Sequence, residues 1–282
     1  MTFSIVARST DGASWGVAVA SKFLAAGALV PGTRAGLGAI ATQSFLNLRY
    51  VPDGFALLEQ GLPAAEVLER LTSADEVRDS RQAGVVDAQG RSATWTGSDC
   101  ISWAGGATGQ DYAVQGNCLA GPEVVQAMEQ AFLASDPAGA LSRRLLAALR
   151  AGDAAGGDRR GRQSAGLVVV SPGAGYEGGN DVVVDLRCDD GPAPVAELAR
   201  LLDLHDLYFG EADPATLLPL TGELAQEVRG ALGRLGYHGG DDLSGVLFDW
   251  MGWENYEERH VPGSIDPVVL AALRTAAAPP PA

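Results

Sequence analysis

The run TFSIVAR (residues 2–8), followed after the polar connection STDGAS (9–14) by WGVAVAS (15–21), decides how the first part of this chain folds. Val and Ile dominate both runs with partial alternation, the pattern of half-buried strands. If the two pair antiparallel through STDGAS, the end of the second, Ser21-Lys22, lies beside the start of the first, Thr2. A third run, GLGAIATQSF (36–45), follows the Gly/Pro turn PGTRAG (31–36). A helical pair comes next in DGFALLEQGLPAAEVLERLTSAD (53–75), where Leu57, Leu58, Val67, Leu68 and Leu71 recur at helical spacing, Gly61 closes one helix and Pro63 opens the other. Strands return at RQAGVVDA (81–88), RSATWTG (91–97) and DYAVQGN (111–117). Helices follow in GPEVVQAMEQAFLAS (121–135) and PAGALSRRLLAALRAG (137–152), then strands AGLVVVS (165–171) and DVVVDLR (181–187). Helices paired between blocks of strands argue for an α+β fold of antiparallel sheets with helical layers outside, not an alternating βαβ sheet.

The chain has 282 residues, 46% of them hydrophobic and 20% charged, and no apolar run approaching the roughly eighteen residues of a membrane span. Arg8 and Asp11 come too early for an apolar signal core, so the cytoplasm is the expected compartment. A net charge of −15 repels phosphate backbones, with only Arg159, Arg160 and Arg162 clustered against it, which argues against nucleic-acid binding. Three cysteines, Cys100, Cys118 and Cys188, lack paired close spacing and read as small buried hydrophobes. The linker DDGPAP (189–194) separates an expected domain at 1–192 from a small helical domain at 193–275, with AAAPPPA (276–282) as a disordered tail. Residues 193–282 hold 14 Asp/Glu against 5 Arg and are the more acidic part.

All three histidines, His205, His238 and His260, fall after residue 200. Catalysis inside the first domain therefore cannot use a histidine base, and their spacing matches no metal motif; no cofactor is expected. The substitute that needs fewest positioned groups is a nucleophile whose own α-amine is the base. Thr2 follows an initiator Met that is normally trimmed before small residues, and an α-amine has a reference pKa of about 7.7–8.0, close to what a general base requires. Lys22 is the only lysine beside nineteen arginines, and as a point charge it would lower that pKa further. Asn117 and the Gly116 amide end a strand just before a helix and could face a developing oxyanion; a helix cap is the other role open to Asn117. Gln43 and Asn47 in ATQSFLN are candidate substrate contacts or turn formers. In GGDRRGRQ, Asp158 could hold an ammonium and Arg162 could clamp a carboxylate bidentately. Ser21 and Cys118 are rival nucleophiles. Tyr208, Phe209, Phe248, Trp250, Trp253 and Tyr256 give the small domain the aromatic load of a carbohydrate or peptide groove, or of a core.

The segments MTFSIVAR, WGVAVASKFLAAGALVP, GLGAIATQSF, YAVQGNCLAGPEV and AAGGDRRGRQSAGLVVV together resemble the DUF1028 family, grouped with the N-terminal nucleophile (Ntn) hydrolases, over residues 1 to about 190. The resemblance implies a four-layer αββα sandwich and an Ntn-type amidohydrolase acting on a small amide or short peptide. From about 193 to 270, ALGRLGYHGG and LFDWMGWENYEERH resemble the peptidoglycan-binding module often attached to that family. A non-catalytic ligand-binding or cell-wall-associating protein is the alternative. Association into a homo-oligomer is compatible with either reading.

Overall fold

The computed structural model describes residues 2–278. Met1, and with it the expected trimming before Thr2, and residues 279–282 of the expected tail lie outside the described residues. The chain divides into two compact units at Leu201–Leu202, inside a helix that begins at Pro194.

The first unit opens with β1 (Thr2–Arg8) and β2 (Trp15–Ser21), paired antiparallel with Thr2 opposite Ser21. A four-residue helix, α1 (Ala26–Leu29), leads to β3 (Pro31–Arg34) and β4 (Gly38–Ser44). The helical pair is α2 (Tyr50–Glu59) and α3 (Ala64–Ser73); Gly61 takes the left-handed φ of 82° that ends α2, and extended Pro63 caps α3. Then come β5 (Arg81–Asp87), β6 (Ser92–Thr96), β7 (Trp103–Gly109) and β8 (Tyr112–Leu119). The unit continues through α4 (Glu123–Ala134), α5 (Leu141–Ala154), β9 (Ser164–Val170), β10 (Val182–Cys188) and the start of α6 (Pro194–Phe209).

Two strands differ from the sequence expectation. PGTRAG is not only a turn, because its first four residues pair with β4 as β3. WAGGATG, rich in glycine and not expected as a strand, forms β7 at the edge of a sheet. Glycine is needed there by proximity: a Cβ on Gly106 would lie 2.6 Å from Val114 O and 2.8 Å from Thr94 Cγ2. The cysteines also differ from expectation, since only Cys118 is buried while Cys100 and Cys188 are partly exposed; all three are free thiols.

The strands form a six-stranded antiparallel sheet in the order β10-β9-β2-β1-β8-β7 and a four-stranded antiparallel sheet in the order β3-β4-β5-β6. The sheets face each other through β1, β2, β7 and β8 on one side and β3 to β6 on the other; α2 and α3 pack on the smaller sheet, α4 and α5 on the larger. Along most of their length the facing surfaces are apolar, with Val6, Trp15, Val17 and Val19 meeting Ala39, Ala41 and Val86. Beneath α2 and α3, Ile40, Val85, Phe55, Leu58, Val67 and Leu68 form a second cluster.

The second unit contains β11 (Leu218–Pro219), α7 (Gly222–Arg234), α8 (Leu243–Glu254), β12 (Ser264–Ile265) and α9 (Pro267–Ala276). Ala276, placed by the sequence reading at the start of the tail, ends α9. Val228, Leu232, Leu247, Trp250, Leu270 and Leu273 make its core. Arg259 is buried with it, pairing with Asp266 Oδ2 at 2.7 Å, while Asp266 Oδ1 accepts the Val268 N–H at the start of α9. The aromatic residues divide: Trp250 and Tyr256 are core, whereas Phe209, Phe248 and Trp253, the last 78% exposed, face solvent. No helix among the described residues is long and apolar enough to cross a membrane.

Candidate active site

Strand parity places Thr2, Ser4, Ser21, Gln43, Gln82, Gln115 and Asn117 between the two sheets at one end, where the apolar filling gives way to uncharged polar side chains, all buried. Their hydrogen bonds run in one direction. Gln115 Nε2 donates to Ser4 Oγ at 2.6 Å, Ser4 Oγ to Gln43 Oε1 at 2.6 Å, and Gln43 Nε2 to Gln82 Oε1 at 2.8 Å. Gln82 Nε2 ends the chain on the Gly116 carbonyl at 2.8 Å and also reaches Thr96 Oγ1 at 2.9 Å. A carbonyl can only accept, so the orientation of Gln82 is fixed, and its Oε1 must receive from its other neighbours. Asn117 is one of these: its Nδ2 donates to Gln82 Oε1 at 2.8 Å.

Thr2 lies at the edge of this cluster, 5% exposed, its Oγ1 3.1 Å from Ser21 Oγ and its backbone opposite Asn117 on the other flank. Asn117 Oδ1 is buried without a hydrogen-bond partner. The side chain therefore offers its neighbourhood an acceptor rather than the donor an oxyanion needs, an arrangement suited to an N–H of an amine. Gln43 is spent within the cluster and is closed to solvent. Asn47 stands apart from it: its Nδ2 donates to Asp75 Oδ2 at 2.8 Å beside a groove along α2 and α3.

The GGDRRGRQ segment is brought to the same end by the close of β8. Cys118 adopts a left-handed φ of 53°, its carbonyl accepts the Arg159 N–H at 3.1 Å, and Leu119 bridges to Asp158. Asp158, its side chain 1% exposed, accepts from Lys22 N at 2.9 Å and Arg160 N at 3.0 Å, and pairs with the Arg160 guanidinium at 2.8 Å. It therefore ties two backbone segments together instead of standing open to a substrate ammonium. Arg162 Nε donates to Asp153 Oδ1 at 2.7 Å; that hydrogen bond, with the carboxylate's charge, raises the guanidinium pKa above its ordinary value. Beside them Phe3, Ala20, Ser21, Asp158, Arg162 and Ser164 line a cavity of about 70 Å³. Lys22 is exposed, in an open groove with Arg160, Arg162 and Gln163. It follows the last residue of β2, outside the ladder that holds Thr2 opposite Ser21. The sequence reading missed Ser4, Gln82 and Gln115. Their signal was polar residues at inward parity in otherwise apolar strands.

A family model described as a family of unknown function, DUF1028, matches residues 2–198, and one described as "Putative peptidoglycan binding domain" matches residues 208–273. The chain belongs to the DUF1028 family and carries a peptidoglycan-binding-like domain behind it. Among solved structures, protein SPO2555 from Silicibacter pomeroyi, described with the same family, is similar at 29% identity and a TM-score of 0.65, covering 80% of this chain and 92% of that one. Anbu (ancestral beta-subunit) from Yersinia bercovieri matches at 12% identity and a TM-score of 0.34, over 72% of this chain and 94% of its own. No curated protein matches the sequence.

Proposed function

We propose that residues 2–198 form an Ntn-type amidohydrolase on a four-layer αββα sandwich, acting in the cytoplasm on a small amide or short peptide. The observation that carries this reading is the Thr2 hydroxyl at the first residue of β1, 3.1 Å from Ser21 Oγ at the polar end of the sheets and beside a cavity. The paired helices outside each sheet are consistent with the layer order. Once the chain begins at Thr2, hydroxyl and amine sit on one residue. The amine takes the hydroxyl proton as Oγ1 attacks the substrate carbonyl, then passes it to the departing nitrogen as the C–N bond breaks. Water hydrolyses the resulting ester by the reverse proton path. Asn117 Oδ1, opposite Thr2, is the acceptor that would orient the amine N–H. The oxyanion is left to backbone donors, because Asn117 Nδ2 is committed to Gln82.

A panel of amides and short peptides with product detection tests the proposal. Intact mass should show a chain lacking Met1. Thr2→Ala should lose orders of magnitude in kcat/KM while Thr2→Ser keeps part of it. Full turnover with an uncleaved N-terminal tag sinks the mechanism. Ser21 lines the cavity directly, which favours a second reading with Ser21 Oγ as nucleophile and Thr2 as its neighbour. In that case Ser21→Ala, not Thr2→Ala, abolishes turnover.

A further inference from the structure

The cavity lined by Ser21 and the open groove share Gly161 and Arg162, so the two adjoin. The groove has about 490 Å³ of space, enough for a small molecule, and its wall is built from Lys22, Arg160, Gly161, Arg162, Gln163, Asp190, Gly191 and Pro192. In a chain of net charge −15, the single lysine and two arginines converge on this one opening. The local carboxylates are largely engaged. Asp158 is buried on Arg160 and the backbone, Asp153 holds Arg162, and Asp190 accepts from Gln163 Nε2 at 3.0 Å. Asp153 takes the Arg162 Nε edge, with a longer contact from Nη2 to its carbonyl at 3.4 Å. Arg162 is thereby held in place while its side chain stays 52% exposed. A guanidinium fixed on one edge, beside an exposed ammonium, is an arrangement that receives a carboxylate.

Resting on the hydrolase reading above, we infer that the substrate is an anionic amide, its carboxylate seated between Lys22 and Arg162 in the groove and its scissile carbonyl directed through the cavity toward Ser21 and Thr2. This gives the lone lysine a role on the substrate rather than on the Thr2 amine.

The test is a matched pair, N-benzoylglycine and N-benzoylglycinamide, which differ only in the carboxylate. Binding is measured by calorimetry at low and at 0.5 M salt on the full chain carrying Thr2→Ala, so that no turnover is needed. The acid should bind at least about tenfold tighter than the amide at low salt, and the preference should shrink at high salt because the cations are exposed. Lys22→Gln and Arg162→Gln, each built on that background, should each reduce the preference severalfold, with circular dichroism confirming the fold. Equal affinity for the pair, binding of neither, or an unchanged preference in both charge variants overturns the inference. The hydrolase reading fails separately: turnover of the amide panel that survives both Thr2→Ala and Ser21→Ala ends it whatever the groove binds.

Discussion

Replacing Asp158 by Ala should cost the first unit about 3 kcal/mol, and the structure says why. The carboxylate receives two bonds on each oxygen: Lys22 N and Arg160 Nη2 on Oδ2, Arg160 N and Arg160 Nε on Oδ1. Its removal strands two backbone N–H groups, worth roughly 1–3 kcal/mol each when buried. It also breaks the ion pair with the Arg160 guanidinium, which is 33% exposed, so that loss is about 1 kcal/mol. The two amide bonds are only partly buried and belong at the lower end of their range, which brings the total to about 3 kcal/mol. At ~2–4 °C per kcal/mol for a unit of about 200 residues, the melting temperature should fall by roughly 6–12 °C. Asp158→Asn should be nearly as damaging, because its NH2 must face two N–H donors on one side or the other. Calorimetry gives the melting temperature, and hydrogen exchange at the Lys22 and Arg160 amides localises the loss. A shift corresponding to less than ~1 kcal/mol, with both amides still protected, would refute the view that Asp158 ties β2 to the 158–162 segment.

Burial and Glu129, to which its hydroxyl donates at 2.7 Å, push the Tyr112 phenol up to about 12. Its contribution is present below the unfolded value near 10 and is lost as pH rises from there toward 12, so Tyr112→Phe should weaken the alkaline dependence of stability. Superimposable alkaline unfolding curves would count against it. Burial alone would raise the Asp75 carboxyl, but hydrogen bonds from Arg81, Asn47 and the Val77 N–H outweigh it and hold the group below the ordinary carboxylate range. That contribution is present above the unfolded value near 3.9 and disappears as pH falls below it, so Asp75→Asn should flatten the acid limb of a urea-midpoint series. Arg259→Met in the second unit leaves the Asp266 carboxylate buried and unpaired, and should destabilise that unit by about 3 kcal/mol in calorimetry. An unchanged transition for that unit contradicts it.

Much of this architecture was legible because alternation and turn chemistry act locally. The antiparallel pairing of TFSIVAR with WGVAVAS sets the start of one run beside the end of the other, and the register of Thr2 opposite Ser21 agrees. β3 and β7 were hidden for a shared reason. Pro31, Gly32 and the glycines of WAGGATG report close backbone approach or a turn equally well, and only the neighbouring strand decides which. The site was half visible. Thr2, Ser21 and Asn117 converge through strand register, which sequence spacing can deliver. Lys22 shows the limit of such reasoning: adjacency in sequence to Ser21 fixed the position of its backbone but not the direction of its exposed side chain. The link from Gln82 on one sheet to Asn117 on the other depends on how two separate sheets dock, and no local pattern encodes that.

The space between the sheets is filled in two different ways along its length, and the two halves would tolerate change differently. Where Val6, Val17 and Val19 meet Ala39 and Ala41, attraction falls off smoothly with distance, and a side chain of similar bulk costs little wherever it settles. Around Gln43 and Gln82 the fit is directional, and donors meet acceptors in order from Gln115 to Gly116. A sideways slip of one sheet would break several of those matches at once and leave amides stranded away from water. Sequence drift in this protein should therefore be gradual at the valine end and stepwise at the glutamine end, where a change is accepted only with a compensating partner. The docking of the sheets is thus locked like a keyed joint at the end that holds Thr2, and merely pressed together at the other.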